Sequence, residues 1–582
     1  MTILFEVNNV SYAHPMPGSL PHRALRDISF QIHEGEYISI VGANGSGKTT
    51  LARHLNGLLI PQRGSVLFQG VNTRDKNNLP FIHQNVGMVF QQPKEQMIAT
   101  TIEEDVAFGP ENLGLSTLEI RTRVKEALQS VNMWDERRRS PQYLSAGQTQ
   151  RVALAGILAM HPKCIIFDEA TAMLDPAGRD EVLANISRLR AQGITIITIS
   201  HYMEEAALAD RMIGLSKGKL VFDGSARELF TNAEMLATLN LNRPRIFSFS
   251  EQLQHWIPCL KAPFTVDEFE QQVPSLSNPV HFPPLNDERQ PPRQASAFVE
   301  IKDLSFTYMH KTPLAHQALE KVNLQFSEGS FYGLIGATGS GKSTLLQHFN
   351  GLYLPQSGSI RVGPFNIDHD VDLLALRRYA GIVFQNPDYQ LFEQYVGDEI
   401  AYGLRLLGIQ GAALRERVKQ AMAAVGLDFD IFKDRMTFSL SGGERRKVAL
   451  ASTIALDPKL LLLDEPTAGL DPLARNEILS QMNSLHKGGK TMVVSSHQLE
   501  DLALLTDHIS MLSAGKVVAS QPTDQLLSNQ PLLQKHGLTT PIAAKMAAIL
   551  RSKGWLVPEN IIVSSQLITA FQSLPADYHV NL

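Results

Sequence analysis

The sequence predicts an α/β fold laid down twice in one chain, and three observations carry that expectation. A glycine-rich stretch, Gly42-Ala43-Asn44-Gly45-Ser46-Gly47-Lys48-Thr49, returns as Gly336-Ala337-Thr338-Gly339-Ser340-Gly341-Lys342-Ser343, offset by 342 − 48 = 294 residues. Each copy follows an apolar, strand-like run (Tyr37 to Val41; Phe331 to Ile335) and opens into a helix-like segment. Uninterrupted apolar runs recur downstream, Cys164-Ile165-Ile166-Phe167 and Leu460-Leu461-Leu462-Leu463, as expected for parallel strands covered on both faces. At 582 residues the chain exceeds what one core can organise, so two to four domains are expected.

Composition narrows the class. With 43% hydrophobic and 19% charged residues, the chain reads as globular rather than disordered. A net charge of −5 gives no reason to expect a nucleic-acid partner. Cys164 and Cys259 form no pair motif and read as structural thiols of a reduced compartment. No apolar run approaches the ~20 residues of a membrane span, and Met1-Thr2-Ile3-Leu4-Phe5-Glu6 does not resemble a secretion signal. A cytoplasmic chain is expected, with any membrane role supplied by a partner.

In chain order, Phe5-Glu6-Val7 and Ile28-Ser29-Phe30-Gln31-Ile32 alternate as antiparallel strands do, with counterparts Val299-Glu300-Ile301 and Val322-Asn323-Leu324-Gln325-Phe326. Tyr308 stands where an aromatic could stack on an adenine ring or fill a strand-end core; its partner in register is His14, with Tyr12 close by. The strand–loop–helix setting of the glycine-rich stretch is that of a phosphate-binding loop. Gly42, Asn44, Gly45, Gly47, Lys48, Thr49 and Thr50, and Gly336, Thr338, Gly339, Gly341, Lys342, Ser343 and Thr344, are its candidate nucleotide-binding residues. The lysines would reach the β- and γ-phosphates of ATP, while Thr49 and Ser343 would hold Mg²⁺.

Next come Val89-Phe90-Gln91-Gln92-Pro93 and Val383-Phe384-Gln385-Asn386-Pro387, where Gln91 and Gln385 could ligate Mg²⁺ or position water. Leu144-Ser145-Ala146-Gly147-Gln148 and Leu440-Ser441-Gly442-Gly443-Glu444 then open basic-then-apolar helices, each an N-terminal anion site or an ordinary cap. The apolar strands end in Asp168-Glu169 and Asp464-Glu465; the aspartates can hold Mg²⁺ and the glutamates can polarise the attacking water. Two further strands end at His201 and His497, each able to hydrogen-bond a γ-phosphate and orient that water.

This order of motifs resembles that of ATP-binding-cassette ATPases, in two copies covering most of the chain. The resemblance implies an intramolecular pseudo-dimer with two ATPs sandwiched between the halves. Ser441 and Gly443 would then close the Lys48 site, and Ser145 and Gly147 the Lys342 site. The loop Phe384-Gln385-Asn386-Pro387-Asp388-Tyr389-Gln390-Leu391-Phe392, with Asp398-Glu399-Ile400-Ala401-Tyr402-Gly403 beyond it, resembles the cassettes of energy-coupling-factor vitamin and metal-ion importers. In that family the adjoining surface receives a transmembrane protein, which makes Met97, Ile98, Leu391 and Phe392 candidates for an apolar docking groove, with core packing as the alternative.

The resemblance implies an antiparallel subdomain, a helical subdomain and a small helical C-terminal appendix on each half. The expected division is 1–240 and 298–530 for the two ATPase domains, 241–273 and 531–582 for the appendices, and a proline-rich linker over 274–297 (Pro274, Pro279, Pro283, Pro284, Pro291, Pro292). The expected function is the energising subunit of a membrane importer at the cytoplasmic face, working with integral membrane subunits that include a separate substrate-binding protein. A tandem sugar-importer ATPase is the nearer alternative, although that group tends to carry one degraded site and both phosphate loops are intact here. A soluble tandem ATPase acting on ribosomes or nucleic acid tends to have a long charged helical linker, which this chain lacks. The halves also differ: Ala146, Ala170 and Met173 stand where the second half has Gly442, Pro466 and Gly469, so modest asymmetry between the sites is expected.

Overall fold

The computed structural model describes residues 2–15, 22–91, 93–144, 146–172, 174, 176–284, 297–312 and 315–574. Ser145, Met173, Pro291 and Pro292, named above, lie outside the described residues, and so does the side chain of Ala146. The chain forms two compact units, residues 1–248 and 249–582.

In the first unit the alternating segments become a four-stranded sheet in the order His22–His33, Ile3–His14, Arg63–Phe68, Val71–Asn72. Ile28, Phe30 and Ile32 pair with Val10, Val7 and Phe5, and all six side chains are buried, while Ser29 and Gln31 face outward. The period-two pattern therefore fixes both register and buried face. A second sheet of six strands runs Lys219–Gly224, Arg211–Ser216, Tyr37–Val41, Thr195–Ile199, Cys164–Asp168, Val86–Val89. Its neighbours are parallel except the first pair. Every residue of Tyr37–Val41, Cys164–Asp168 and Thr195–Ile199 is buried, because apolar layers cover both faces.

One of those layers joins the sheets through Leu51, Leu55, Ile40, Ile166 and Phe5. The other packs Ile165, Phe167 and Ile196 against the helices Ile102–Asn112, Thr117–Ser130 and Ala146–Leu158. The first of these helices starts at a capping box in which Thr101 and Glu104 each satisfy the other's backbone N–H.

The second unit repeats this plan with sheet orders His316–Ser327, Ala297–Tyr308, Ser357–Val362, Phe365–Asn366 and Ala380–Val383, Leu460–Asp464, Thr491–Ser495, Phe331–Ile335, His508–Ser513, Lys516–Pro522. It also contains a small body that neither repeat needs. Strand Val280–His281 pairs in parallel with Trp555–Leu556, and helix Val266–Gln272 lies against Ile542–Ser552. Trp555 is fully buried, donates from Nε1 to Pro274 O at 3.2 Å and packs on Phe571, which Trp256 and Phe282 also meet. The two appendix segments, expected one on each half, thus pack on each other inside the second unit. Pro274 belongs to that packing rather than to an open linker. The physical cause is pooled apolar area: each segment alone is too short to bury an aromatic core.

Candidate functional site

In each unit the parallel strands deliver their C-terminal ends to one edge, where the motifs meet. Gly47 and Gly341 have φ values of +105° and +104°, just before the helices Lys48–Leu55 and Lys342–Phe349. A Cβ there would stand 2.5 Å from Ala24 O in the first unit and 2.7 Å from Ala318 O in the second, so glycine is required by space as well as by φ. Positive φ at Gly42, Gly45 and Gly47, and at Gly336, Gly339 and Gly341, curls each loop, and the helix N-terminus adds its positive dipole end. Lys48 Nζ donates to Gly42 O and Ala43 O at 2.8 and 3.0 Å; Lys342 Nζ donates to Gly336 O and Ala337 O at 2.7 and 3.2 Å.

Thr49 Oγ1 donates to Asp168 Oδ1 at 3.1 Å, and Asp464 Oδ1 accepts from Ser495 Oγ at 2.5 Å. Burial, and next the neighbouring Glu169, push the Asp168 carboxyl up to about 6. Asp464 also moves up, chiefly through burial, while the hydroxyls of Ser495 and Ser343 pull against that rise. A buried carboxylate beside a hydroxyl suits a hard divalent cation such as Mg²⁺. Among the described residues no group of three or more acidic, histidine or cysteine side chains forms a self-sufficient metal site.

The glutamates stand one residue beyond, both left-handed, with φ +51° at Glu169 and +48° at Glu465. Such backbone is uncommon for a residue with a side chain and costs of order 1 kcal/mol, held here by strand pairing. Glu169 Oε1 lies 2.6 Å from His201 Nε2, and Glu169 Oε2 accepts from Gln91 Nε2 at 2.7 Å. Burial raises the Glu169 carboxyl, but the hydrogen bond and charge of His201, with Lys48 behind, bring it below the usual carboxylate range. The second unit differs: His497 presents Nδ1, 2.6 Å from Glu465 Oε1, and neither atom is aligned for a hydrogen bond. The Gln385 side chain is exposed and has no hydrogen-bond partner among the described residues.

The aromatic positions also differ. Tyr308 is half-buried, its hydroxyl 2.9 Å from Thr344 Oγ1 and its ring edge-on to Phe306 and Tyr353. Burial pushes the Tyr308 hydroxyl up to about 12. In the first unit His14 Nε2 stands 3.1 Å from Thr50 Oγ1, with Tyr12 against both His14 and His54. Tyr308 and His14 are therefore equivalent in place and different in chemistry.

Ser441 caps helix Gly442–Ile454 through a capping box with Glu444 and is exposed, as is Gly442; Gly443 sits on the first turn. Gly147 lies on the first turn of Ala146–Leu158, and Ser145 lies outside the described residues. The first unit therefore brings together its own phosphate loop, acids, glutamine and histidine, and the second its phosphate loop, acids and histidine.

Sequence reasoning missed two buried carboxylates behind these sites. Glu205 accepts from Thr171 and Ser200 at 2.7 and 2.9 Å and faces Arg179; Asp501 accepts from Thr467 at 2.8 Å and from Arg475. Each ties the loop after the strand-end glutamate to the helix after the histidine. Their signal was present, because they repeat at the 296-residue offset of the acids and histidines. The four docking-groove candidates divide: Ile98 and Phe392 are 61% and 65% exposed, whereas Met97 and Leu391 pack against the helical-subdomain cores.

Residues 25–172 and 319–468 each match the ABC transporter family. A protein of Methanosarcina mazei described as an ABC transporter ATP-binding protein is 32% identical over 96% of this chain and 96% of its own. An energy-coupling factor transporter ATP-binding protein, EcfA1 of Clostridium novyi, is 49% identical over 43% of this chain and 90% of its own length. A solved structure of cbiO1 from Clostridium perfringens, part of the ABC transporter complex cbiONQ, is 32% identical, covers 41% of this chain and 94% of its own, and superposes with a TM-score of 0.37.

Proposed function

The chain belongs to the ABC transporter family as a tandem ATP-binding subunit that couples ATP hydrolysis to transport, and from that premise we propose that it is the energy-coupling-factor type, serving a vitamin or metal-ion importer. The observation that supports this type is the likeness to EcfA1, and the pair of acid–histidine edges, Glu169 with His201 and Glu465 with His497, each beside a phosphate loop with its lysine, supports hydrolysis at both sites. Two hydrolysing sites are proposed, each completed by the serine-capped helix of the other half: Ser441 and Gly443 with Lys48, Ser145 and Gly147 with Lys342.

Lys48 and Lys342 would leave the loop carbonyls that hold them and bind the β- and γ-phosphates. Thr49, Asp168 and Gln91, or Ser343, Asp464 and Gln385, would hold Mg²⁺, which neutralises phosphate charge when bound. Glu169 and Glu465 accept a proton from the attacking water, and the histidines keep each carboxylate aimed. The depressed Glu169 carboxyl is ionised at neutral pH, as a base must be. Tyr308 and His14 would support the adenine.

No helix among the described residues is long and apolar enough to cross a membrane. We place the protein at the cytoplasmic face through integral membrane partners that meet the exposed Ile98 and Phe392. In both units the backbone beside these residues is held by a carboxylate: Asp105 accepts from Ile98 N at 2.8 Å, and Glu399 accepts from Phe392 N at 2.9 Å. Purification from membranes tests this. Wild type should carry an integral membrane protein with it, and Ile98→Asp with Phe392→Asp should lose that protein while retaining ATP binding. Recovery with ribosomes and no membrane partner would overturn the reading.

A further inference from the structure

We propose that Arg446 is a positioning residue for the Lys342 site, pinning the backbone of Glu465 and Gln385 to helix Gly442–Ile454 and so fixing the aim of the Glu465 carboxylate. The inference rests on Glu465 being the base of that site. Arg446 lies near the start of the helix and is 8% exposed. Its Nη1 donates to Glu465 O at 2.9 Å and its Nη2 to Gln385 O at 3.0 Å; its Nε has no partner. Both acceptors are main-chain carbonyls, so the guanidinium is buried without a carboxylate hydrogen-bonded to it. Burial alone draws it down to about 10, against the opposing pull of Glu465. A buried charge of this kind is costly to keep for packing alone.

The duplicate supplies the internal comparison. At the corresponding place the first unit has Gln150, 3% exposed, whose Nε2 has no hydrogen-bond partner. An amide therefore fills the space without clamping anything. The two sites hold their glutamates in different ways. Glu169 is gripped at its carboxylate, by Gln91 at 2.7 Å and His201 at 2.6 Å. Glu465 lacks the glutamine contact, and its histidine approaches through the other ring nitrogen without hydrogen-bond alignment. Its carboxylate keeps one long bond, Oε2 accepting from His497 N at 3.4 Å, and the firmer hold is on its backbone, where Arg446 clamps the carbonyl. At φ +48° the Glu465 peptide is in an uncommon conformation, and a donor on its carbonyl limits the rotation that would swing the side chain away. The same guanidinium holds the end of the glutamine strand, so both loops move with the helix that follows Ser441.

Single-turnover hydrolysis by the full chain tests the proposal. Arg446→Gln, which installs the first unit's residue, should slow the Lys342 site roughly tenfold, the scale of one lost charge-assisted contact in a transition state. The time course should split into two phases of equal amplitude if the sites act independently, or slow as a whole if they fire together. ATP affinity should stay within about twofold. Arg446→Lys, able to reach one carbonyl but not both, should recover part of the rate. An unchanged time course for Arg446→Gln would overturn the inference, as would a loss explained wholly by fewer ATP-binding sites per chain. Glu465→Gln measured in parallel separates the two claims. If it removes the slow-site amplitude while Arg446→Gln changes nothing, only the positioning role falls. If it too changes nothing, the assignment of the base falls and the positioning role with it.

Discussion

Replacing Asp168 with asparagine should stabilise the ligand-free protein and abolish the response of the Lys48 site to magnesium. The folded carboxyl sits at about 6 against an ordinary 3.8, chiefly because it is buried. At 1.36 kcal/mol per tenfold change in proton affinity, this corresponds to about 3 kcal/mol at most. The sign follows from the raised folded value. The contribution is fully present below pH 3.8 and is lost as pH rises through about 6, where the unfolded chain is already ionised and the folded site must become so. Asparagine carries no such titration and still accepts from Thr49. Denaturant midpoints between pH 4 and pH 7.5, without nucleotide, should therefore diverge, with wild type falling relative to Asp168→Asn. Adding MgATP at pH 7.5 should reverse the order, because cation binding satisfies the carboxylate and cannot satisfy the amide. Parallel pH curves for the two proteins would refute the reasoning.

Three further outcomes follow from other parts of the chain. Gly341→Ala places a Cβ 2.7 Å from Ala318 O at φ +104°, so ATP binding at that site should fall at least tenfold while the first unit still binds; equilibrium binding stoichiometry measures this. His348 is fully buried with Nδ1 2.7 Å from Thr344 O, and burial brings it down to about 4. A lowered histidine gives stability that is present above pH 6.5 and lost as pH falls toward 4, so His348→Gln should flatten that acid limb in denaturation of the second unit. Trp555→Ala removes a fully buried ring from the body shared by the two appendices and should cost about 3–5 kcal/mol there, read as protease cleavage near 274–284 with ATP binding by the first unit unchanged.

Much of this was legible because duplication turned weak signals into strong ones. The runs ending at Asp168 and Asp464 read as doubly covered parallel strands and are buried at every residue, since apolar periodicity reports directly on burial. The alternation Ile28-Ser29-Phe30-Gln31-Ile32 likewise located the buried face of the antiparallel sheet. Contacts that depend on which rotamer a polar side chain takes were out of reach. That Gln91 donates to Glu169 was not to be read from its place before a proline; His201 and His497 share a place yet present different nitrogens. Nor could spacing show that Pro274 and Trp555 meet, because their 281-residue separation leaves no local trace. Arg446 read only as part of a basic stretch, and its role emerges from the two carbonyls it reaches.

The central claim is that Glu169 and Glu465 are the bases of two ATP sites. Steady-state ATP hydrolysis by the Glu169→Gln/Glu465→Gln chain, with ATP binding measured on the same sample, tests it most directly. The account predicts that two nucleotides still bind and that hydrolysis falls at least a hundredfold, as loss of a general base requires. Hydrolysis at the wild-type rate by a chain that binds both nucleotides would contradict it.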